Sequence, residues 1–286
     1  LAVTAGAWAS GGNLTTARYS LGGAGTQTAG VAFGGHTDTV VNNSEEYDGS
    51  SWTEGDNLNT ARQEIGSIGT QTTAVSFGGN TGSVSNVTEE YNGSSWSNGN
   101  NMGTAVWRHG GLGILTAGVS FGGTQGDPVA ATNQTEEYDG TSWTAGNNMN
   151  TARSQLGGSG ILTAGLGSGG YSPSANVANA EEYNGTNWSE SGDLNTARAQ
   201  GEGAGTQTDT ILFGGYVSAN SALTEGYDGT NWSTRPSMAT ARRAQAGFGT
   251  SALALVTGGY ISAASNATEE FTGETTTLNL KTITDS

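Results

Sequence analysis

Apolar residues in this chain come in short runs, and Ala252-Leu253-Ala254-Leu255-Val256 is among the longest aliphatic stretches. The residues between such runs are mostly Gly, Ser, Thr and Asn, a mixture that suits short strands and tight turns better than helices. Residues 58–96 illustrate the arrangement, with strands predicted at 65–69, 74–78, 88–91 and 95–97 and a hairpin turn at 70–72. The same order then recurs along the chain. Gly-Gly pairs begin at Gly34, Gly78, Gly122, Gly169, Gly214 and Gly258, and tryptophans stand at Trp8, Trp52, Trp96, Trp143, Trp188 and Trp232. Both series advance by 44, 44, 47, 45 and 44 residues. A third marker falls between them: Glu45-Glu46-Tyr47, Glu89-Glu90-Tyr91, Glu136-Glu137-Tyr138, Glu181-Glu182-Tyr183, Glu225-Gly226-Tyr227 and Glu269-Glu270-Phe271. Six copies of a four-stranded unit predict an all-β fold, a six-bladed β-propeller with four antiparallel strands per blade.

The ends of the chain predict how the ring closes. Trp8 lacks a preceding Glu-Glu-Tyr and Phe271 lacks a following Trp, so the N-terminal strand is expected to complete the closing blade. That arrangement removes the sheet edge an open array would expose. The propeller is expected to occupy residues 1–274. Residues 275–286, where Leu278, Leu280 and Ile283 stand between polar residues, are expected to form one more strand or a tail.

The order Ala-Arg, strand, Gly-Gly, variable loop, Tyr-Asp, turn, Trp resembles the Kelch repeat and covers the chain to about Phe271. The wording of the units, with Asn-Leu-Asn-Thr-Ala-Arg, Gly-Thr-Gln-Thr and Glu-Glu-Tyr-Asp-Gly-Ser-Ser-Trp, also resembles Kelch-like proteins of tailed bacteriophages and environmental viruses. Those resemblances imply a non-enzymatic virion protein, structural or for host attachment. Its partners would be other virion proteins, copies of itself, or a host surface glycan or protein. The alternative is a secreted or cell-surface bacterial module for carbohydrate binding or adhesion. Kelch-type propellers include enzymes as well as adaptors, so the fold alone does not choose.

Length varies in one place. From each Trp to the next Gly-Gly is 26 residues, and from the first Glu of a marker to the following Trp is seven wherever both occur. From Gly-Gly to the first Glu the count is 11, 11, 14, 12, 11 and 11. In a four-stranded meander these variable connections emerge on the face opposite the two hairpin turns. Diversified loops on a fixed scaffold are how binding surfaces are usually built. The candidate ligand face therefore comprises the loops 36–43, 80–87, 124–134, 171–179, 216–223 and 260–267, with His36, Asn80, Asp127, Tyr171, Tyr216 and Tyr260 as candidate contacts. The longest, 124–134, is expected to project furthest.

Arg18, Arg62, Arg153, Arg198 and Arg242 stand ten residues after a Trp, and in the third unit Val106 takes that slot with Arg108 two residues on. Such a set could grip anions at the channel mouth. A residue that recurs in every unit is better explained as part of the unit, so ion pairs are expected with Glu45, Glu89, Glu136, Glu181, Glu225 and Glu269. Adjacent Glu residues on a strand face opposite ways, which argues against a paired-carboxylate glycosidase site.

Composition narrows the chemistry further. The net charge of −16 disfavours nucleic acid and anionic membranes, which require basic surfaces. No apolar run reaches the roughly 18–20 residues of a membrane span. The absence of cysteine excludes disulfides and thiolate metal sites, including the Cys–Tyr cofactor of Kelch-like copper-radical oxidases. His36 and His109 lie in dissimilar contexts, and Asp38 and Asp127 lack the spacing of a calcium loop. No nucleophile–base pair is apparent, and neither a metal nor a cofactor is expected.

Overall fold

A computed structural model describes residues 2–126 and 130–277. Six four-stranded antiparallel meanders make up the propeller, and the described residues contain no helix. Blade one runs from the axis outward as Gly22–Thr26, Ala29–Phe33, Ser44–Tyr47 and Trp52–Glu54. The innermost strands of the other blades are Gly66–Thr70, Gly110–Ile114, Gly157–Ile161, Glu202–Thr206 and Ala246–Gly249. Each packs against the next and the sixth against the first, which closes the ring. Glycine permits this closeness. A Cβ on Gly158 would stand 2.3 Å from the Gly111 carbonyl oxygen, and one on Gly203 would stand 2.7 Å from that of Gly158. The axis is left as a narrow channel of about 160 Å³.

The third strand of the second blade is found as expected, and the limits of the other three shift by one residue. The first three strands of the second blade are Gly66–Thr70, Thr73–Phe77 and Thr88–Tyr91, and the fourth is Trp96–Asn98. Glu64 at φ 52° and Gly78 at φ 63° bend the chain out of extended conformation and set the inner two strands' outer limits. At their other ends Thr70 still pairs with Thr73, so the turn is only Gln71-Thr72.

Blades are joined by a core layer and by polar clasps. Five of the six repeat tryptophans pack on their own blade's Tyr, as with Tyr91 and Trp96 at 5.0 Å, and Trp8 packs on Phe271; Trp8, Trp96, Trp143 and Trp188 also reach the preceding blade's Phe, as with Trp96 and Phe33 at 4.7 Å. Indole N–H groups donate to the hydroxyl that opens the preceding blade's third strand: Trp52 to Thr268, Trp96 to Ser44, Trp143 to Thr88, Trp188 to Thr135 and Trp8 to Thr224. In blade four that position is Ala180, and Trp232 donates instead to the carbonyl of Gly192. The turn glutamines Gln27, Gln71 and Gln207 donate across the junction to two backbone carbonyls each. The repeated wording of the turn face is thereby explained by assembly.

A second clasp uses the marker Tyr and the second Glu of the preceding blade. Tyr91 donates to Glu46 and Tyr47 to Glu270, both at 2.5 Å, and Tyr227 donates to Glu182 at 2.8 Å. Tyr138 and Tyr183 donate likewise to Glu90 and Glu137. Burial, and next the acceptor carboxylate, push the Tyr47 hydroxyl up to about 12. At the junction of blades five and six both partners are missing: Phe271 has no hydroxyl, and Gly226 stands where the carboxylate would be. Arg235 occupies the vacated side, since a Cβ on Gly226 would meet its Nε at 2.4 Å. The double variant Phe271→Tyr/Gly226→Glu is expected to show about 1–2 kcal/mol of favourable coupling relative to the single changes, because a hydrogen bond to a carboxylate is regained only when both are present. Urea unfolding of the four proteins measures it, and strictly additive effects would refute the clasp.

The closing blade is stitched from both ends of the chain. Ala7–Ser10 pairs with Thr268–Thr272, placing Trp8 opposite Phe271 and Ser10 opposite Glu269. Ala2–Thr4 and Thr275–Thr277 continue the same register as a two-stranded ribbon. The strand expected beyond residue 274 thus covers Thr275–Thr277, while Leu278, Leu280 and Ile283 lie outside the described residues.

Candidate functional site

The face carrying the variable loops is built on a buried staple. Arg62 is fully buried and donates through Nη1 to the carbonyls of Gly78 and Val87, and through Nη2 to Ser76 and to Glu89 at 3.0 Å. Gly78 and Val87 are the two ends of a variable loop, so one guanidinium fixes both. Arg18 closes on Glu45 at 3.2 Å, Arg153 on Glu181 at 3.2 Å, Arg198 on Glu225 at 3.0 Å and Arg242 on Glu269 at 2.6 Å. The carboxylates also accept backbone N–H groups, as Glu89 does from Asn59 and Thr60. Burial lowers the guanidinium of Arg62 to about 10 against the attraction of Glu89, which leaves it charged at neutral pH.

Blade three departs from this pattern, and the ion pair expected for Glu136 is not formed among the described residues. Val106 fills the slot and joins the apolar cluster of Ile68, Phe77 and Met102. Glu136 remains 8% exposed and accepts from the N–H groups of Gly103 and Thr104 at 2.7 and 2.9 Å. The displaced Arg108 bonds Glu64 instead, at 2.9 Å and partly buried on the same face. The loop without a staple is the longest one. It compensates with a small ladder, Thr124–Gln125 paired with Ala130–Ala131. Asp127 lies outside the described residues, and with it the expectation that this loop projects furthest.

Two residues beyond each staple position the backbone turns left-handed, at Ser20, Glu64, Arg108, Gln155, Gln200 and Ala244, with φ between 52° and 59°. Left-handed backbone is unusual for side chains other than Gly and Asn. The reason is a closed cycle of hydrogen bonds around the axis. Ser20 N–H donates to the Ala244 carbonyl, Glu64 to Ser20, Arg108 to Glu64, Gln155 to Arg108, Gln200 to Gln155 and Ala244 to Gln200, at 2.6 to 3.3 Å. Each blade donates to its predecessor, and the cycle rings the mouth of the channel.

Around this cycle the chain repeats a second backbone contact. The residue after the staple position bridges the residue after Gly-Gly: Tyr19 with His36, Gln63 with Asn80, Trp107 with Thr124, Ser154 with Tyr171, Ala199 with Tyr216 and Arg243 with Tyr260. All the described candidate loop residues therefore sit in one ring. Loop amides join neighbouring loops, with Asn176 donating to the carbonyls of Tyr216 and Val217 and Asn220 to those of Tyr260 and Ile261. Sequence reasoning missed the inner partners Tyr19, Trp107 and Arg243. The signal was available: these positions adjoin a repeated Ala-Arg yet read Tyr, Gln, Trp, Ser, Ala and Arg.

The ring side chains form an aromatic and cationic arc. His36 packs on Tyr19 at 5.1 Å, Tyr19 on Tyr260 at 5.5 Å, and the Arg243 guanidinium lies 5.0 Å from Tyr260 and 4.8 Å from Tyr216. Arg108 stacks on Trp107 at 4.1 Å. Between these groups lies a cup of about 370 Å³ lined by Arg108, Gln155, Tyr171, Gln200, Tyr216 and Arg243, among others. That volume falls in the range of small-ligand sites, roughly 300–1,000 Å³. Asn80 is on the far side, where its Oδ1 accepts from Gly82.

Below the mouth the channel holds two titratable groups. Burial alone pushes the Glu202 carboxyl up to about 8, and burial pushes the His109 imidazole down to about 3. Among the described residues no three His, Cys, Asp or Glu side chains converge as a metal site would need. No protein-family model matches the chain, and no curated protein matches it.

Proposed function

We propose that this chain is a non-enzymatic recognition module that contacts its ligand with the loop face, carried on a virus particle as a structural or host-attachment protein. The observation that supports it is the division of labour within each blade. Staple, hydrogen-bond cycle and clasps hold an almost constant backbone, while the side chains at the mouth differ from blade to blade. A surface that varies on a backbone that does not is suited to recognition. The particle setting rests on the wording of the repeats, which resembles Kelch-like viral proteins; a secreted bacterial adhesion or lectin module is the alternative. Capsid or tail genes flanking the coding sequence support the first, and a secretion signal supports the second.

Grafting residues 80–87 in place of 124–134 tests the contact. The shorter connection serves blade two with the help of Arg62, whereas in blade three it replaces the ladder of Thr124–Gln125 and Ala130–Ala131, so the melting temperature is measured alongside, and binding of the folded, labelled graft to host cells should fall at least tenfold. Unchanged binding after this graft and after exchange of a second loop would transfer the contact to the turn face and end the proposal.

A further inference from the structure

The cup at the channel mouth differs in charge from the rest of the chain. The net charge is −16, yet the cup's charged lining residues are two arginines and no carboxylate. The two are not equivalent. Arg108 is answered by Glu64 at 2.9 Å, whereas Arg243 has no carboxylate within 4.0 Å among the described residues. Its guanidinium is held by ring faces, those of Tyr216 and Tyr260. Stacking of this kind occupies the plane of the group and leaves the N–H edges for a bidentate acceptor. Its N–H groups donate to no side chain or backbone acceptor that the described residues provide.

The rest of the lining is neutral and suited to a hydroxylated ring. Tyr171 keeps 40% of its surface exposed beside the cup, which is high for a large aromatic side chain. The amides of Gln155 and Gln200, on the left-handed turns of blades four and five, offer donors and acceptors. A phosphate group would call for several cations or a nest of N–H groups. One unanswered guanidinium beside amides and an open aromatic ring instead matches a single carboxylate on a polyhydroxylated body.

We infer that the cup binds a carboxylated sugar, one or two rings long, with Arg243 pairing its carboxylate, Tyr171 facing a pyranose ring and Gln155 and Gln200 meeting its hydroxyls. This rests on the loop-face reading above and names its ligand class. Uronic and sialic acids share the chemistry.

Isothermal titration with digalacturonate and with 3′-sialyllactose, against their neutral counterparts galactobiose and lactose, separates the two sources. At least one acidic probe should bind ten times or more tightly than its neutral counterpart, and the preference should weaken as salt rises. Arg243→Gln should abolish the preference with the melting temperature unchanged, Arg243→Lys should retain part of it, and Arg235→Gln, outside the cup, should leave it intact. Equal affinity for acidic and neutral probes, an unaltered preference in Arg243→Gln, or no binding of either acidic probe would each overturn the inference. Equal affinity for acidic and neutral probes that falls with Tyr171→Ala would overturn it while leaving the loop face as the contact. Binding indifferent to both Tyr171→Ala and Arg243→Gln would remove the loop-face reading as well.

Discussion

Replacement of Arg62 by alanine is expected to lower the free energy of unfolding by about 3–5 kcal/mol, the loss associated with breaking a buried ion pair from one side. The arginine is wholly buried, and its removal strips donors from three carbonyls as well as from Glu89. Two of those carbonyls belong to the ends of loop 78–87, so the loop should also become more susceptible to proteolysis. Blade three supplies the contrast. Glu136 already lives without an arginine, on two backbone N–H donors, beside the apolar Val106. Glu136→Gln should therefore cost about 1 kcal/mol or less, while Glu89→Gln should cost distinctly more, because it leaves the Arg62 cation buried without a counter-charge. Urea titrations followed by tryptophan fluorescence give all three numbers. A loss below about 1 kcal/mol for Arg62→Ala would mean that water replaces the staple at little cost.

Stability should depend on pH through the two groups lining the channel. Glu202 occupies a position that is Gly22, Gly66, Gly110, Gly157 or Ala246 in the other blades, and its carboxyl is raised from 4.5 to about 8 by burial. A raised carboxyl pKa means that the folded state binds the proton more tightly than the unfolded chain. The associated stability is full below about 4.5 and is lost progressively as pH rises to about 8. His109 works in the other direction. Burial lowers it from 6.5 to about 3, so its contribution is full above about 6.5 and is lost as pH falls toward 3. Between 4.5 and 6.5 the contributions of these two groups oppose each other. Glu202→Gln is expected to stabilise the protein at pH 9 by roughly 2–4 kcal/mol, since each tenfold change in proton affinity is worth about 1.4 kcal/mol and water in the channel offsets part of the sum. The variant's gain should shrink toward zero near pH 4.5. A gain that is the same at pH 5 and pH 9 would show that it comes from shape and not from ionisation.

The blade count and the closure by Trp8 were legible in the sequence because they rest on arithmetic: a marker that recurs at fixed spacing must occupy the same place in each unit. Ion pairing of the repeat arginines was legible for a similar reason. What escaped were contacts between units. The second Glu of each marker looks solvent-facing from its own strand, and its partner, a tyrosine hydroxyl one blade away, is about 45 residues distant. The paired absence of Tyr at Phe271 and Glu at Gly226 could be recognised only once the junction was seen. Repetition suggests an arginine for Glu136, although Val106 already fills that slot with an apolar side chain. Within the candidate site, loop length draws attention to the outer residues of the ring. The inner partners at Tyr19, Trp107 and Arg243 vary in type without varying in length, and only the backbone bridges disclose that they adjoin the loops.

The ribbon formed by Ala2–Thr4 and Thr275–Thr277 has a consequence for how the molecule can be held. It prolongs the pairing of Trp8 with Phe271 at the end of the blade where the other five blades make their Asp-Gly or Asn-Gly turns. Both strands of the ribbon therefore leave from the face opposite the cup, side by side and away from the axis. A tether joined to either strand would pull on the rim of the disc through an antiparallel ladder, with Ala7 still paired to Thr272 beneath it. Held in that way, the disc would be suspended by one edge, with its variable mouth on the side away from the tether.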